Sequence, residues 1–552
     1  MKRFFSYCML AAVAIIIVAT GCQNDKQSSP TKANAAITAY INVNQIVEKS
    51  GITDFERNII AGQLVKEIRN YNDAEFITAA IADFNNTGID FDSPVYATID
   101  ITDEDTIDVV MIAKVADVEK LDRLAEIVLQ YVPNTNIETR GSNRYFVTTD
   151  NILPAIGYND NYLALVMSEN GNSRQFLDKV LRGYEVDATI FNSLDAGVAI
   201  NLNKVANVAN LILDTAIQRV QMYAEIYEGE EDEYNFNERI TTLDKIKSTL
   251  NSVSSKFEDN ASLVAGVEFK SGEAVLNVEI NGIKQEGLMA IRPVNNSYLT
   301  NLPADLLAIA NINIDGKAAA NILEQNKDII LSNINVGGVI PYIDIIIDAI
   351  KSLDGDITLA VDKLEFHKEY DWYYDNYDYE LRGFDFDLYA TVCDRYIFDN
   401  VVNLPGINNY LKPVGNDIFA INAAGMNILF GQNGNTLYVG SDNTAEAAES
   451  NATFASWYPR VSNGSYGYLI LNLQQLLKSD LGAQIFDSFE KKGNYNAMKA
   501  ARSFLDNLDY VAINLPQSNK LELAVVFNDR TTNALKQIIT TIKRVVLVGG
   551  GN

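Results

Sequence analysis

Two hydrophobic patterns alternate along the chain. Short runs of alternating apolar and polar residues are typical of half-buried strands, and apolar residues every three or four positions are typical of helices. The first pattern predicts strands at residues 37–43, 94–101, 106–113, 162–167, 197–202, 262–269 and 274–280. The second predicts helices at residues 47–71, 118–132, 173–181, 205–227 and 238–256. Hairpins separated by helices favour an α+β fold of antiparallel-rich sheets with packed helices.

The order of these elements repeats in the second half of the chain. Residues 39–44 (AYINVN) match residues 308–313 (AIANIN), and residues 157–163 (GYNDNYL) match residues 431–437 (GQNGNTL). Each match is separated by about 270 residues, as expected for a repeated structural unit. We therefore predict two similar halves related by internal duplication: a first α+β repeat at residues 35–292 and a second at residues 293–547.

Asparagine recurs at the predicted junctions between strands and helices. Its side chain readily accepts a hydrogen bond from the free amides at the start of a helix. We interpret these asparagines as helix caps, with a binding role as the alternative. They are Asn42, Asn44, Asn201, Asn311, Asn313 and Asn472.

The N-terminus has the pattern of a lipoprotein signal peptide. Lys2 and Arg3 precede an apolar run at residues 9–18, which is shorter than the roughly 20 residues of a membrane span. Small residues then lead to Cys22, although the third position before it is Ala19 where leucine is usual. We predict a signal peptide at residues 1–21, lipidation of Cys22 and a flexible tether at residues 22–34. The alternative is an ordinary secretory signal with an incidental cysteine.

The net negative charge of the chain excludes some classes of binding partner. Lys and Arg number 44 against 72 Asp and Glu, for a formal net charge of −28. Such a chain is repelled by phosphate backbones, so we expect no nucleic-acid partner. Anionic lipid disfavours it as well, so we expect the acyl chains to provide its link to the membrane. We place the protein at the outer membrane, on either its periplasmic or its surface face.

Few residues carry catalytic or metal chemistry. The single histidine, His367, is predicted to lie beside a loop, and no nucleotide-binding or zinc motif is present. We therefore predict no catalytic residue, no metal site and no cofactor. Cys393 ends an apolar run and is predicted to be a buried thiol. The acidic run at residues 228–233 is predicted to be a solvated loop.

Carboxylate pairs leave an enzymatic alternative open. Asp385 and Asp387 are two residues apart on a predicted strand and therefore share one face. Two carboxylates at a suitable separation are what a glycosidase needs. Residues 83–88 (DFNNTG) partly match a calcium loop, but Pro94 stands where the bidentate glutamate belongs. We interpret that segment as a turn between a helix and a strand.

One segment, residues 369–380 (EYDWYYDNYDYE), combines aromatic and acidic residues. We predict that it projects from the second half and, with its flanks, forms a recognition surface, because Tyr and Trp are favoured at interfaces. The alternative is a long hairpin whose aromatic residues pack on the second half. The candidate residues are Tyr370, Trp372, Tyr373, Tyr374, Tyr377 and Tyr379.

Several short motifs together resemble a known family. They are Cys22, residues 37–51 (ITAYINVNQIVEKSG), residues 87–90 (TGID), residues 302–305 (LPAD) and residues 355–357 (GDI). The chain resembles outer-membrane lipoproteins of gut-dwelling Gram-negative bacteria that share a domain of unknown function. Members often open their first strand with a Pro-Ala-Asp turn, which residues 32–36 lack. The resemblance implies no activity, cofactor or catalytic residue.

These observations favour a non-enzymatic lipoprotein of the outer membrane with a binding or structural role. Its expected partners are the membrane, through the lipid, and either a glycan or a protein. Two alternatives stay open: a carboxylate-dependent hydrolase acting on glycan or peptide, and a periplasmic assembly factor.

Overall fold

A computed structural model describes most of the chain. The described residues are 31–32, 35–53, 55–57, 59, 71–103, 106–132, 134–148, 155–168, 172–191, 193–226, 236–284, 290–302, 306–325, 327, 343–371, 376–404, 406–407, 409–423, 426–441, 464–479, 482 and 502–549. Cys22 and the predicted signal peptide lie outside them, as do the acidic residues 228–233. Among the helices described, none combines the length and the apolar character needed to cross a membrane.

The chain contains strands and helices throughout. The strands are β1 Thr31–Lys32, β2 Ile37–Ile41, β3 Val95–Asp103, β4 Thr106–Lys114, β5 Thr135–Arg140, β6 Asn143–Thr148, β7 Ala155–Tyr158, β8 Tyr162–Ser168, β9 Tyr184–Glu185, β10 Ala196–Asn201, β11 Phe257–Lys270, β12 Glu273–Ile283, β13 Ile291–Arg292, β14 Ala308–Asp315, β15 Leu353–Asp371, β16 Asn376–Val392, β17 Lys412–Gly415, β18 Ile418–Ala423, β19 Met426–Asn433, β20 Thr436–Ser441, β21 Gly467–Asn472, β22 Leu508–Gln517 and β23 Lys520–Phe527. The helices are α1 Val43–Ser50, α2 Tyr71–Ala82, α3 Val118–Leu129, α4 Ser173–Arg182, α5 Leu202–Ile226, α6 Phe236–Ser254, α7 Gly316–Gln325, α8 Ile343–Lys351, α9 Tyr396–Asn403, α10 Leu473–Lys478 and α11 Ala534–Gly549. The α+β expectation is confirmed.

The chain divides into two compact units. Unit 1 comprises the residues up to Phe269 together with Ile280–Ile283, and unit 2 comprises Lys270–Glu279 and Lys284–Asn552. Strand β12 therefore contributes most of its length to unit 2. The predicted repeat boundary between residues 292 and 293 stays a prediction.

Unit 1 is built outward from β2. This strand pairs with β3 on one side and β10 on the other. Beyond β3, the pairing continues through β4 and β8 into a meander of β7, β6 and β5. Beyond β10 it continues to β11. These pairings are antiparallel, whereas the short β1 pairs in parallel with β9.

Unit 2 is built outward from β14. This strand pairs with β15 on one side and β21 on the other. Beyond β15, the pairing continues through β16 and β20 into a meander of β19, β18 and β17. Beyond β21 it continues to β22, β23 and β12. From the meander to the strand after β21, the order of pairing is the same as in unit 1.

Each unit buries apolar side chains against its sheet. In unit 1, α3 packs through Leu121 and Leu124 near Phe91 and Tyr158, and α4 packs through Leu177 and Leu181 in a neighbouring cluster. In unit 2, the segment at residues 293–302 covers one face of the sheet. Its leucines pack on a row of small and aliphatic residues that includes Ile309, Ile470, Ala512 and Ala524.

Polar side chains cap the helices that follow the repeated strands. The carboxamide of Asn42 accepts from Gln45 N–H at 3.1 Å, and that of Asn472 accepts from Gln475 N–H at 3.1 Å. Asn201 accepts from Lys204 N–H at 3.0 Å. The capping interpretation is confirmed for these three asparagines, which satisfy an amide that the first helical turn leaves free.

The capping interpretation is wrong for Asn311 and Asn313. Both lie inside β14, with 2% and 3% of their surface exposed. The cap of α7 is Asp315, which accepts from Ala318 N–H at 3.0 Å. Asn44 lies within α1 and donates to the carboxylate of Asp92 at 2.7 Å.

The predicted helix at residues 47–71 is wrong in its bounds, because the helical structure is interrupted after Ser50. Helix α1 begins earlier, at Val43, because Asn42 caps it and ends β2 two residues sooner than expected. It stops at Gly51, whose φ of 64° lies in the left-handed region that ends helices. The next helix with described bounds, α2, begins at Tyr71.

Candidate functional site

The predicted recognition segment lies on a long hairpin of unit 2. Strand β14 pairs with β15 only as far as Val361, and β20 pairs with β16 only as far as Asp387. The ladder between β15 and β16 continues to the pair Asp371–Asn376. We call residues 362–371 and 376–386 the ribbon. About ten residues of each strand thus extend beyond the shared ladders, a length of about 30 Å.

The register gives the ribbon two different faces. Residues directly opposite each other share a face, and the faces alternate along each strand. One face contains the pairs Phe366–Leu381, Lys368–Tyr379 and Tyr370–Tyr377. The other contains the pairs His367–Glu380, Glu369–Asp378 and Asp371–Asn376. One face is therefore mainly aromatic and the other mainly acidic.

The structure corrects one expectation about this part of the chain. Residues 369–371 and 376–380 belong to strands β15 and β16, which form a long hairpin. His367 likewise lies in β15 and not beside a loop. Alternating tyrosines are good strand formers, which explains why pairing continues through the segment. Trp372, Tyr373 and Tyr374 lie outside the described residues.

The ladder between the two strands of the ribbon has two irregularities near its base. The register shifts between Val361 and Lys363, where β15 has one extra residue. It shifts again between Glu365 and Phe366, where β16 has the extra residue. These β-bulges bend and twist the strands locally.

The buried carboxylates have partners of their own. Asp195 accepts from Lys49 Nζ at 2.7 Å and 2.8 Å and from Phe269 N–H at 2.6 Å. Asp73 pairs with Arg123. Asp387 is buried and accepts from the Tyr438 hydroxyl at 2.9 Å, while Asp385 is half-buried. Among the described residues, no three His, Cys, Asp or Glu side chains group as metal ligands would.

Burial shifts the pKa of several acidic groups. It raises the pKa of Asp90, which is also close to Asp92. It raises the pKa of Tyr389 to about 12, with the nearby charge of Asp387 acting in the same direction.

Cys393 does not lie where the sequence placed it. Its side chain is exposed, and its Sγ lies 3.7 Å from the carbonyl of Lys351. The apolar run ends one residue earlier, at the buried Val392, because strands alternate their faces. The remaining desolvation and the Asp394 charge raise the pKa of the thiol.

Sequence reasoning missed a polar cluster in unit 2. We call Asn311, Asn313, Asp356 and Thr358 the polar patch. Asn311 is opposite Thr358 and Asn313 is opposite Asp356, so the four residues form a square on one face of β14 and β15. All four are at most 3% exposed. The available signal was the Asn-Ile-Asn alternation inside an otherwise apolar strand.

The nitrogen atoms and carboxylate of the polar patch hold the segment that covers it. Asp356 accepts from Asn295 N–H at 3.0 Å and Ser297 N–H at 2.9 Å. Asn313 Nδ2 donates to the carbonyl of Pro293 at 3.0 Å. Asn311 Nδ2 donates to Asn296 Oδ1 at 3.2 Å. These bonds fix the covering segment on the sheet.

Comparison with known proteins is informative mainly at the level of family. No curated protein sequence matches the chain. Crystal forms III and IV of TP0453 are similar at 7% identity and a TM-score of 0.22 each. They cover 46% and 45% of this chain and 80% and 77% of TP0453. Residues 234–535, more than half of the chain, match the family described as a domain of unknown function, and the protein therefore belongs to the DUF4836 family.

Proposed function

We propose that this protein is a non-enzymatic lipoprotein of the outer membrane that binds a glycan or a protein through the ribbon of unit 2. The observation that carries the proposal is the continuation of the β15–β16 ladder to Asp371–Asn376, well past the last pairs with β14 and β20. This length is not needed to complete the sheet, and its composition suits an interface.

The proposed lipid anchor is supported by the sequence before Cys22. Cys22→Ala is expected to abolish labelling with palmitate and to release the protein from membranes. Cys393→Ala is the matched control, since it removes the other cysteine outside the signal peptide and is expected to label as the wild type does. Palmitate labelling of the Cys22 variant would rule out this anchor. Protease treatment of intact cells would distinguish the surface face from the periplasmic one.

The proposed internal duplication is supported by the order of strand pairing. The same order runs from the meander through β4, β3, β2 and β10 as from the second meander through β16, β15, β14 and β21. The caps at the ends of these strands agree with it. An experimentally determined structure is expected to superpose residues 35–292 on residues 293–547 with elements in the same order. A different order of connections would reject the duplication.

A binding role is favoured over hydrolysis because the buried carboxylates have structural partners. Asp195 is neutralised by Lys49, and Asp356 holds two backbone amides. A glycosidase needs an acid and a base of separated pKa at one place. Hydrolysis of glycan or peptide that is lost in Asp387→Asn, with folding unchanged, would support the alternative.

The recognition surface is tested by crosslinking in intact cells. A photoreactive amino acid at Tyr379, on the aromatic face of the ribbon, is expected to capture a discrete envelope component. The matched control places it at Asp103, where the shorter hairpin of unit 1 ends. Equal crosslinking from both positions would show that capture does not depend on the ribbon.

Truncation of the aromatic residues tests the same surface by another route. Replacing Trp372, Tyr373 and Tyr374 together by Ala is expected to leave Tm nearly unchanged and to reduce that crosslinking. A large fall in Tm with crosslinking retained would place these side chains in the core and remove the basis for a binding ribbon.

A further inference from the structure

Unlike the Asp356 carboxylate, the amide and hydroxyl oxygen atoms of the polar patch take no part in the hydrogen bonds that hold the covering segment. Among the described residues, Asn311 Oδ1, Asn313 Oδ1 and Thr358 Oγ1 are buried and have no hydrogen-bond partner. Each belongs to a side chain that is at least 97% buried. Buried polar groups in folded proteins are normally satisfied, so three such oxygens on one square of residues indicate a missing partner.

The chemistry of these atoms defines what the partner must be. The amide nitrogens of Asn311 and Asn313 already donate, to Asn296 and to Pro293. The atoms that remain are two carbonyl oxygens, which only accept, and a hydroxyl oxygen. A ligand here must therefore donate hydrogen bonds or carry positive charge.

The charge balance points to a cation. Asp356, opposite Asn313, is 1% exposed, and the bonds it accepts come from the neutral amides of Asn295 and Ser297. A buried carboxylate is costly unless a positive charge compensates it. The nearest cation by register is Arg292, also opposite Asn313. Its Nη2 donates to Asp354 at 2.7 Å and to the carbonyl of Ile314 at 2.7 Å.

We propose that the polar patch binds a small monovalent cation of the Na⁺ class. The ligand atoms would be the two amide oxygens, the Thr358 hydroxyl and the Asp356 carboxylate, an all-oxygen set that suits a hard cation. One carboxylate balances one positive charge, which favours a monovalent ion over Ca²⁺. The Arg292 guanidinium lies at the Asn313 end, so the cation is placed toward Asn311 and Thr358.

The competing occupant is an ordered water, which also satisfies buried oxygens. The two are separated by titrating the full-length protein in a non-ionic detergent with NaCl, at ionic strength held constant with choline chloride. A cation predicts a saturable rise in Tm with Na⁺ and broadening of the ²³Na NMR signal by the protein. A Tm and a ²³Na linewidth that do not respond to the exchange overturn the proposal.

Thr358→Val tests the ligand set with little change of shape. It removes one ligand oxygen and is expected to weaken the apparent affinity for Na⁺ by about tenfold or more. Under the water interpretation, the same variant would be as stable as the wild type and would show the same response to salt. An unchanged Na⁺ titration in this variant overturns the site.

Asn311→Asp tests the assigned charge by a gain of function. A second carboxylate at the patch is expected to make Ca²⁺ stabilise the variant, whereas no stabilisation by Ca²⁺ is expected for the wild type. Asn514→Asp is the matched control, because Asn514 Oδ1 is also buried and without a partner but lies two strands away, beyond Tyr468. A Ca²⁺ response in the control, or in the wild type, overturns the monovalent assignment. If Asn311→Asp does not fold, the wild-type and Thr358→Val titrations decide.

Discussion

The hairpin β3–β4 of unit 1 and the hairpin β15–β16 of unit 2 occupy the same place in the pairing order. The strands of the first are 9 residues each, and their ladder closes at Asp103–Thr106. Those of the second are 19 and 17 residues. Near their bases both hairpins are bound by a central strand on one side and a meander on the other.

The difference shows which part of a hairpin is constrained. At the base, a strand must fit its neighbours and the core, so its register and length are fixed. Past the last neighbouring pair, additional residues cost little, because loop closure depends only weakly on length. Composition then decides whether an extension stays ordered, and alternating tyrosines favour continued pairing.

A second difference lies in how the units use buried carboxylates. In unit 1, Asp195 binds a lysine from α1, Lys49, together with a backbone amide of β11. In unit 2, Asp356 binds two backbone amides of the covering segment. Asp195 is thus compensated by a charged side chain of the protein, whereas Asp356 is bound by amide dipoles and, in our proposal, by a cation.

The largest difference in stability is expected between two glycine positions, one closely packed in unit 1 and one with free space around it in unit 2. Gly88 and Gly434 both have left-handed backbone, with φ of +85° and +56°. A Cβ at Gly88 would overlap the backbone of Asp117 and Leu121, where α3 begins, whereas nothing lies within 4 Å at Gly434. Gly88→Ala is expected to cost about 4 kcal/mol of unfolding free energy, and Gly434→Ala about 1 kcal/mol. Denaturant unfolding measures both, and equal losses would contradict the close approach at Gly88.

The second effect separates the two buried carboxylates. Asp195→Ala leaves Lys49 without its ion-pair partner and is expected to cost about 3 kcal/mol. Asp356→Ala leaves two neutral amides and is expected to cost about 2 kcal/mol. Hydrogen exchange at Phe269 in the first variant, and at Asn295 and Ser297 in the second, locates the loss. If the Asp195 variant were as stable as the wild type, the Lys49 ammonium group would have to be hydrated in the variant with no loss of unfolding free energy.

The third comparison is between the N-caps of α1 in unit 1 and α7 in unit 2, which are expected to contribute equally to stability. Asn42→Ala and Asp315→Ala each remove a side-chain acceptor from the first turn of the helix after the central strand. Each is expected to cost about 1 kcal/mol. Faster amide exchange at Gln45 and Ala318 would report the loss. Substitution by Ser, which can still cap, is the control and is expected to restore most of the stability. A cost in one unit alone would break the equivalence.

The smallest effect on stability is expected at two carboxylates whose pKa values are shifted in opposite directions. Burial raises the pKa of Asp90 in unit 1, and the N–H of Tyr396 lowers that of Asp394 in unit 2. Asp90 therefore contributes stability that is present in acid and lost as pH rises through its folded pKa. Asp394 contributes stability that is present at neutral pH and lost as pH falls through its folded pKa.

Asn substitutions at these two positions are expected to move neutral stability in opposite directions. Asp90→Asn is expected to raise it slightly and Asp394→Asn to lower it slightly. The first difference vanishes below the usual Asp pKa, and the second decreases as pH falls through the lowered pKa of Asp394. Thermal melts from pH 3 to pH 7 measure this. Parallel pH profiles for the two variants would contradict the assigned shifts.

Much of the fold could be predicted from the sequence, because strands and caps are encoded locally. The strands that begin at Ile37 and Thr106 and the helices that begin at Val118 and Ser173 start where alternation and periodicity place them. The exit from α1 could not be found by periodicity, because the apolar pattern continues past Gly51. It depends on the left-handed backbone of that glycine.

The candidate site was less predictable. Aromatic composition identified the ribbon segment, but the separation of Tyr370 and Tyr379 from Glu369 and Glu380 depends on which residue pairs with which. A register shift of one residue would exchange the faces. The polar patch was harder still. Asn311 looks like a cap in sequence, and only the pairing of β14 with β15 brings it opposite Thr358.

The two β-bulges at the base of the ribbon have a consequence for how its length evolved. The extra residue on β15 is compensated by an extra residue on β16, so the two strands contribute equal numbers of residues to the ladder from the base of the ribbon to its tip. With only one of these insertions, the pairing register of the tip would be shifted by one residue. Alignments of relatives should therefore show gaps here in matched pairs, one on each side of the turn. Hairpins that carry only one of the two should have their outer faces exchanged.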